Sequence, residues 1–222
     1  EVRWEDNRVD LADHAALAEC LTAGVLCNDS QLQRDGGRLV VQGDPTEAAL
    51  LVVARKAGLM QESMNGATPR VDMIPFESEH MFRATLHDRR HGRVIYKVGA
   101  LERLIDRCTD ALDHDGGLVP LDKAAVHRAV ERMAAKGLRV LGFARRHVDA
   151  AHAKLEHHHV SAGLTFLGLQ GMIDPPRPEV ITAVAQCRSA GIAVKMITGD
   201  HLVTARAIAE QIGLESKAGA EL

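Results

Sequence analysis

The stretch SAGLTFLGLQGMIDPPRPEVITAVAQCRSAGIAVKMITGDHLVTARAIAEQIG, residues 161–213, decides how the chain is read. It holds two apolar runs, 164–173 and 192–197, each closed by an Asp-containing turn and each followed by a segment of helical periodicity. That is a β-α-β-α pattern. The first run is apolar almost throughout and punctuated by glycine, which suits a strand covered on both faces in a parallel sheet. Asp174, Pro175 and Pro176 stop it, because proline has no N–H for a ladder and readily opens a helix. From Glu179 onward, Val180, Ala183, Val184 and Cys187 recur along one helical face, and Gly191 is placed to end that helix. The second run repeats the strand. Thr198, Gly199 and Asp200 form the turn at its carboxyl end, and Ala205, Ile208, Ala209 and Ile212 mark a further helix. Ligands of such sheets bind beyond the carboxyl ends of the strands, where helix N-termini offer free N–H groups to anions. Thr198, Gly199 and Asp200 are therefore placed to meet a phosphate.

Working outward, 222 residues suit one large or two small domains, and a hydrophobic content of 46% is enough for real cores. A formal net charge of −3 argues against a basic face for nucleic acid, so no nucleic-acid partner is expected. No apolar run approaches the roughly 18 to 20 residues of a membrane span, and no signal peptide opens the chain, so this stretch reads as soluble. Cys20, Cys27, Cys108 and Cys187 lie far apart without a CxxC, the pattern of reduced, packed thiols in a cytosolic setting. An opening Glu1 in place of Met reads as a piece of a longer protein.

Upstream, residues 10–24 carry helical periodicity through Leu11, Ala15 and Ala18, and a polar, glycine-bearing loop follows to Gly37. Residues 38–41 form a short strand candidate. Asp44 at the N-cap, Pro45 at the first helical position and Glu47 at the third make a capping box, with Leu50, Val53, Ala54 and Ala57 on the buried stripe. Three strand candidates, 71–74, 82–87 and 93–98, follow with a charged turn at 88–92 and point to an antiparallel sheet. A helix is expected over 101–108. Another is expected over 123–136, where Val126, Val130 and Met133 are in register, and 138–145 reads as a strand with Arg139, Leu141 and Phe143 on one face. The expected fold is thus α+β: an antiparallel sheet flanked by helices over 1–173, followed by a partial α/β β-α-β-α unit over 174–222.

These residues carry a family resemblance. MIDPPRPEV followed by VKMITGDHLVTARAIA resembles the hinge and phosphorylation-domain segment of P-type cation-transporting ATPases of the calcium- and sodium-pump type. Upstream, Cys27-Asn28-Asp29-Ser30, Gly43-Asp44-Pro45-Thr46-Glu47, Pro75-Phe76-Glu77-Ser78-Glu79, Gly99-Ala100 with Glu102, and Gly137-Leu138-Arg139-Val140-Leu141 occur in the family's order. The resemblance implies a nucleotide-binding domain at 1–173 joined to a haloacid-dehalogenase-like fragment of the phosphorylation domain at 174–222. It implies that Phe76 stacks on adenine, Glu47 contacts the base and Arg139 reaches the phosphates. It places Asp174 at the interdomain hinge and brings Thr198, Gly199 and Asp200 to the nucleotide on closure. The same motifs put Asp44, Ser78, Gly99, Ala100 and Arg177 in the nucleotide-binding set. ATP is the implied ligand, with Mg²⁺ in the complete enzyme. The implied partners are the remaining phosphorylation, actuator and transmembrane domains of the same pump, on the cytoplasmic side of a membrane.

Each role has a plainer counterpart. Phe76 after a proline also reads as a core residue, Arg139 as a solvated strand residue, Glu47 as a helix cap, and residues 198–200 as a turn with an N-cap. His152, His157, His158 and His159 read as a solvated loop, since adjacent residues share no face and no spaced metal motif is present. No metal ligands are expected in this chain.

Three departures from the family pattern bear on chemistry. The family places Lys directly before Gly-Ala, whereas Lys97 and Val98 stand here in exchanged order, which in a strand turns the lysine to the opposite face. Met81 stands where the family often has Lys. With two cations missing from the phosphate side, weak ATP binding is expected. Neither the DKTGT nucleophile nor a GDGxND loop occurs in the chain, so no catalytic residue is expected in it. A haloacid-dehalogenase-type phosphatase fragment is an alternative, opposed by the lack of a DxDx[TV]-like strand. A module that keeps the fold with weak or no nucleotide binding is the other.

Overall fold

The computed structural model describes residues 3–4, 7–173, 176–198 and 202–214. Two short strands, β1 (Arg3–Trp4) and β2 (Asn7–Arg8), pair antiparallel. Asp10 caps a single 3-10 turn, after which the apolar run enters α1 (Ala15–Leu26), whose second half is buried. Where a loop and a single strand are expected there is a hairpin, β3 (Gln31–Asp35) against β4 (Arg38–Gln42). Next come α2 (Pro45–Lys56) and a short α3 (Gln61–Ala67). Val25, Leu51 and Ala54 join α1 to α2 in an apolar cluster that Leu32, Leu59 and Met64 edge.

Alternating side chains then build the expected meander, β5 (Arg70–Glu77), β6 (Phe82–Arg89) and β7 (Gly92–Gly99). The expected helix at 101–108 is not one. Its apolar positions, Leu101, Leu104 and Ile105, are buried instead by two successive 3-10 turns, Leu101–Arg103 and Ile105–Arg107. Apolar spacing that fits an α-helix is equally served by tight turns when the chain must pass quickly into a strand. That strand is β8 (Cys108–Leu112), and β9 (Leu118–Pro120) folds back on it. The chain continues through α4 (Lys123–Ala134), β10 (Arg139–Val148), β11 (Leu164–Met172), α5 (Pro178–Ser189) and α6 (Leu202–Gln211).

The larger sheet runs β5-β6-β7-β10-β11-β8-β9. Pairing is antiparallel from β5 through β10 and between β8 and β9, while β11 lies parallel to β8. The architecture is therefore α+β, with an antiparallel sheet flanked by helices and a mixed β-α portion after it. Period-two alternation divides the sheet into two faces. Phe82, Ala84, Leu86 and Ile95 point to one face and pack with Ile74, Leu155 and Val160. Tyr96 and Arg83 point to the other and reach Glu19 of α1 and Glu47 of α2.

The described residues gather into two compact units, one of Glu1–Lys123 with Leu141–Gln170, the other of Ala124–Val140 with Gly171–Leu222. In the second unit Gly137 lies close to Ala207 and Ile208 of α6. Gly191, at a φ of +73°, ends α5 as expected. Its N–H donates to Arg188 and the next N–H, of Ile192, donates to Cys187, the paired bonds of a Schellman ending. The second expected strand, 192–197, does not form: the segment is irregular, and Ile197 is 96% exposed. A parallel strand needs a neighbour to accept and donate along its length, and the described residues supply none beside it.

Candidate functional site

The end of the sheet where β5 closes and β6 begins is shaped by an irregular register. Ile74 faces Ala84 and Glu77 faces Phe82, so the strand carrying Pro75 and Phe76 has one residue more than its partner. Proline, with no N–H for the ladder, belongs at such a bulge. Phe76 is left 53% exposed, so its ring does not fill the core. Ser78 lies in the turn that follows, where the Met81 N–H donates to the Glu77 carbonyl at 2.8 Å. Met81 takes a φ of +53°, and its side chain is exposed.

Gly99 faces Phe82 on β6 and Gly142 on β10. A Cβ there would collide with the Met81 carbonyl oxygen and the Phe82 backbone, so this close approach requires glycine. The Ala100 N–H donates to the same Met81 carbonyl at 3.0 Å. Phe76, Ser78, Gly99 and Ala100 are thereby brought to one end of the β5–β7 meander.

Asp44 caps α2 as expected, its Oδ1 accepting from the N–H groups of Thr46 at 2.8 Å and Glu47 at 3.1 Å. Glu47 does not complete the expected capping box. Its Oε2 accepts from the Asp29 N–H at 3.1 Å and the Ser30 N–H at 3.2 Å, and Ser30 Oγ lies 3.3 Å away. Its Oε1 is 2.9 Å from Arg83 Nη1, an ion pair in which Nη1 makes no hydrogen bond. Arg83 Nη2 pairs with Asp29 at 2.6 Å, and Asp29 pairs in turn with Arg70 at 2.6 Å. The box fails because these loop donors and the guanidinium outcompete a single backbone N–H for the carboxylate.

Arg83 stands opposite Val98 on β7, and the bulged residues of β5 flank it on the other side. Glu47 therefore reaches the same rows of the sheet as Phe76. Sequence reasoning missed Arg83, although one arginine inside the apolar strand FRATLH is a signal: a charge there must find a partner.

Lys97 points the other way. Its side chain is fully buried, with Nζ 3.9 Å from the Phe82 ring centroid and donating to the Val160 carbonyl at 3.2 Å. Burial, with Arg107 adding repulsion, pushes its amine down to about 7. The exchanged order of Lys97 and Val98 thus has the expected consequence, since Val98 is on the Arg83 side and the lysine is not.

Arg139 is exposed at the opening of β10. Arg177 is exposed at the N-cap of α5, and Thr198 is exposed in the irregular segment before α6. Asp174, Gly199 and Asp200 lie outside the described residues. His157 and His158 are exposed in a 3-10 turn, His157–Val160, in which His159 Nδ1 accepts from the Glu156 N–H at 2.9 Å. Among the described residues no group of three or more His, Cys, Asp or Glu side chains is placed to hold a metal ion. Burial pushes the Cys20 and Cys27 thiols up to about 12, which keeps both protonated and inert. Among the described residues no helix is long and apolar enough to cross a membrane.

A family model described as P-type ATPase, cytoplasmic domain N, matches residues 16–179. The chain is 52% identical over 201 residues to the cation-transporting ATPase pma1 of Synechocystis sp., covering 90% of this chain and 22% of that protein. It is 46% identical over 210 residues to the probable cation-transporting ATPase F of Mycobacterium tuberculosis, covering 95% of this chain and 23% of that one. It is 35% identical over 218 residues to the calcium-transporting ATPase of Bacillus subtilis, covering 96% and 24%. The chain thus spans about a quarter of the length of the curated relatives it matches.

Proposed function

The chain belongs to the P-type cation-transporting ATPases, whose cytoplasmic domain N it matches, and from that premise we propose that it binds ATP at the β5–β7 end of its sheet. The carrying observation is Phe76, an aromatic ring 53% exposed in a chain with few aromatics, on the bulge that stands opposite Arg83, the ion-pair partner of Glu47. A solvent-facing ring on a rigid strand end is a stacking platform, and base stacking contributes about 1–3 kcal/mol by alanine substitution. The residues fit a base better than they fit a phosphate. Gly99 and Ala100 offer backbone at close approach, while Met81 and Val98 add no cation and Lys97 is buried on the far face. Binding in the high micromolar to millimolar range follows.

In this reading 1–173 is the nucleotide-binding domain and 174–222 a fragment of the phosphorylation domain. Asp174 acts as hinge, Arg139 reaches the phosphates, and Thr198, Gly199 and Asp200, with Arg177 beside the hinge, meet the nucleotide on closure. The intact pump lies in a membrane with this part on its cytoplasmic side, and its other domains supply the phosphorylated aspartate and hold Mg²⁺. This chain binds and delivers ATP without hydrolysing it.

The test is an amide NMR titration with a non-hydrolysable ATP analogue, with and without Mg²⁺. Saturable shifts at Glu47, Phe76, Gly99 and Arg139 are expected, and Phe76→Ala should weaken them by about tenfold or more. No shift at millimolar analogue would overturn the reading and favour a module that has kept the fold and lost the pocket, for which the burial of Lys97 already speaks.

A further inference from the structure

The sheet edges differ in how far they are closed to other chains. An edge strand presents unpaired N–H and C=O groups, and proteins guard such edges with proline, bulges, charges or short strands. β5, at one edge of the larger sheet, carries Pro75 and the bulge, and its Asp72 Oδ2 accepts from the Leu155 N–H at 2.8 Å. β9, at the other edge, is three residues long and ends in Pro120. The β3–β4 hairpin is built differently. Its turn residues Gly36 and Gly37 have φ values of +53° and +84°, both positive as in a type I′ turn, and Asp35 faces Arg38 across it. Hydrogen-bonded pairs alternate with open pairs away from such a turn, so Leu39 and Val41 direct their N–H and C=O groups outward from β4. The register continues unbroken to Gln31 opposite Gln42, and neither proline nor lysine lies in β4. Leu39, Val40 and Val41 are all half-exposed. Leu32, on the same face as Leu39 and Val41, is the hairpin residue that packs against the α1–α2 cluster.

We propose that the outer edge of β4 is an interface for a second copy of this chain, added antiparallel about Val40 to make a four-stranded sheet. The strand is self-complementary in that register. Leu39 of each copy lies opposite Val41 of the second copy, and the outward groups of these residues exchange about four backbone hydrogen bonds. Val40 meets its own counterpart on the twofold axis. Arg38 meets the neutral Gln42 of the second copy, while its charge faces Asp35 across its own hairpin. Like charges are therefore never opposed, and a twofold pairing closes on itself. The outer edge of β3 is not equivalent, because the corresponding pairing there sets Arg34 against Leu32, which is already packed. A two-stranded hairpin is marginal alone, whereas four strands sharing the stripe of Leu32, Leu39 and Val41 form a sheet with an apolar face. The interface is small, five residues of β4 from each copy, so the dimer is weak and forms at high micromolar concentration.

The experiment is sedimentation equilibrium of the whole chain from about 10 µM to about 1 mM. Wild type is expected to pass from monomer toward dimer across that range. A chain that stays monomeric overturns the inference and leaves the β4 edge to a different partner. Val40→Lys, at a half-exposed position, sets two lysines face to face on the axis and should weaken dimerisation by about tenfold or more with a native amide spectrum. Dimerisation as tight as wild type in that variant also overturns the inference. Ile197→Ser should leave dimerisation unchanged; loss there, with Val40→Lys unaffected, assigns self-association to the exposed apolar residues of the second unit instead. The register is read by cross-linking in a Cys187→Ser background, since the other three thiols are buried. Val40→Cys should form an intermolecular disulfide under mild oxidation, because an open pair brings its side chains within bridging reach, and Arg38→Cys should not. Equal cross-linking at both positions overturns the proposed register.

Discussion

The affinity of the site turns on single side chains and the faces they occupy. Met81 sits at a φ of +53° with its side chain exposed, beside the turn that carries Ser78. A lysine there would project a cation into solvent at the β6 edge without disturbing any buried contact. Met81→Lys is therefore expected to tighten ATP by about one charge-assisted contact, roughly tenfold at low salt and less at high salt. An isothermal titration showing equal affinity for both chains would remove the missing-cation argument. Lys97 cannot be recruited in its place, because it is fully buried against Phe82 and Val160. Period-two alternation made that legible from the order Lys97-Val98 alone. The exposure of Phe76 was not legible, since an aromatic after proline reads as core until the bulge that turns it out is known.

At the scale of elements, the expectations that held are those whose causes are local. Asp44 and Pro45 start α2, Gly191 ends α5, and the charged turn at 88–92 joins β6 to β7. Those that failed depended on neighbours. The helix expected at 101–108 became two 3-10 turns because the chain enters β8, which pairs with the distant β11. The strand expected at 192–197 lacks a partner beside it among the described residues. Amide hydrogen exchange should follow: 193–197, beyond the Ile192 N–H that closes α5, is expected to exchange near the unprotected rate, while Ile95 and Tyr96, inside the central sheet, exchange only on large openings. Strong protection across 193–197 would show that the segment is paired after all.

The stability of the whole molecule carries a signature of its buried ionisable groups. Lys97 has its folded-state value lowered from 10.5 to about 7, first by burial. Between those values the unfolded chain holds a proton that the folded chain does not, so stability should rise with pH through that window. His87, buried and bonded to the Thr68 carbonyl, is lowered from 6.5 to about 4, again first by burial. By the same sign, stability should fall as pH drops from 6.5 toward 4. Each group contributes at most about 1.4 kcal/mol per pH unit. Denaturant midpoints measured from pH 5 to pH 10 check this, and Lys97→Met is expected to flatten the upper window; an unaltered slope there would mean that Lys97 stays protonated in its buried position.

By itself the sequence determined the family, the order of its motifs, the antiparallel meander and the exchange that turns Lys97 from the site, because composition, alternation and capping act over a few residues. Only the tertiary structure decided what Glu47 is bonded to, that Phe76 is exposed, and that an apolar run at 192–197 forms no strand. The reason is that ion pairs, bulges and ladders are completed by groups remote in the chain. Glu47 reads as a helix cap until folding sets Asp29, Ser30 and Arg83 around it.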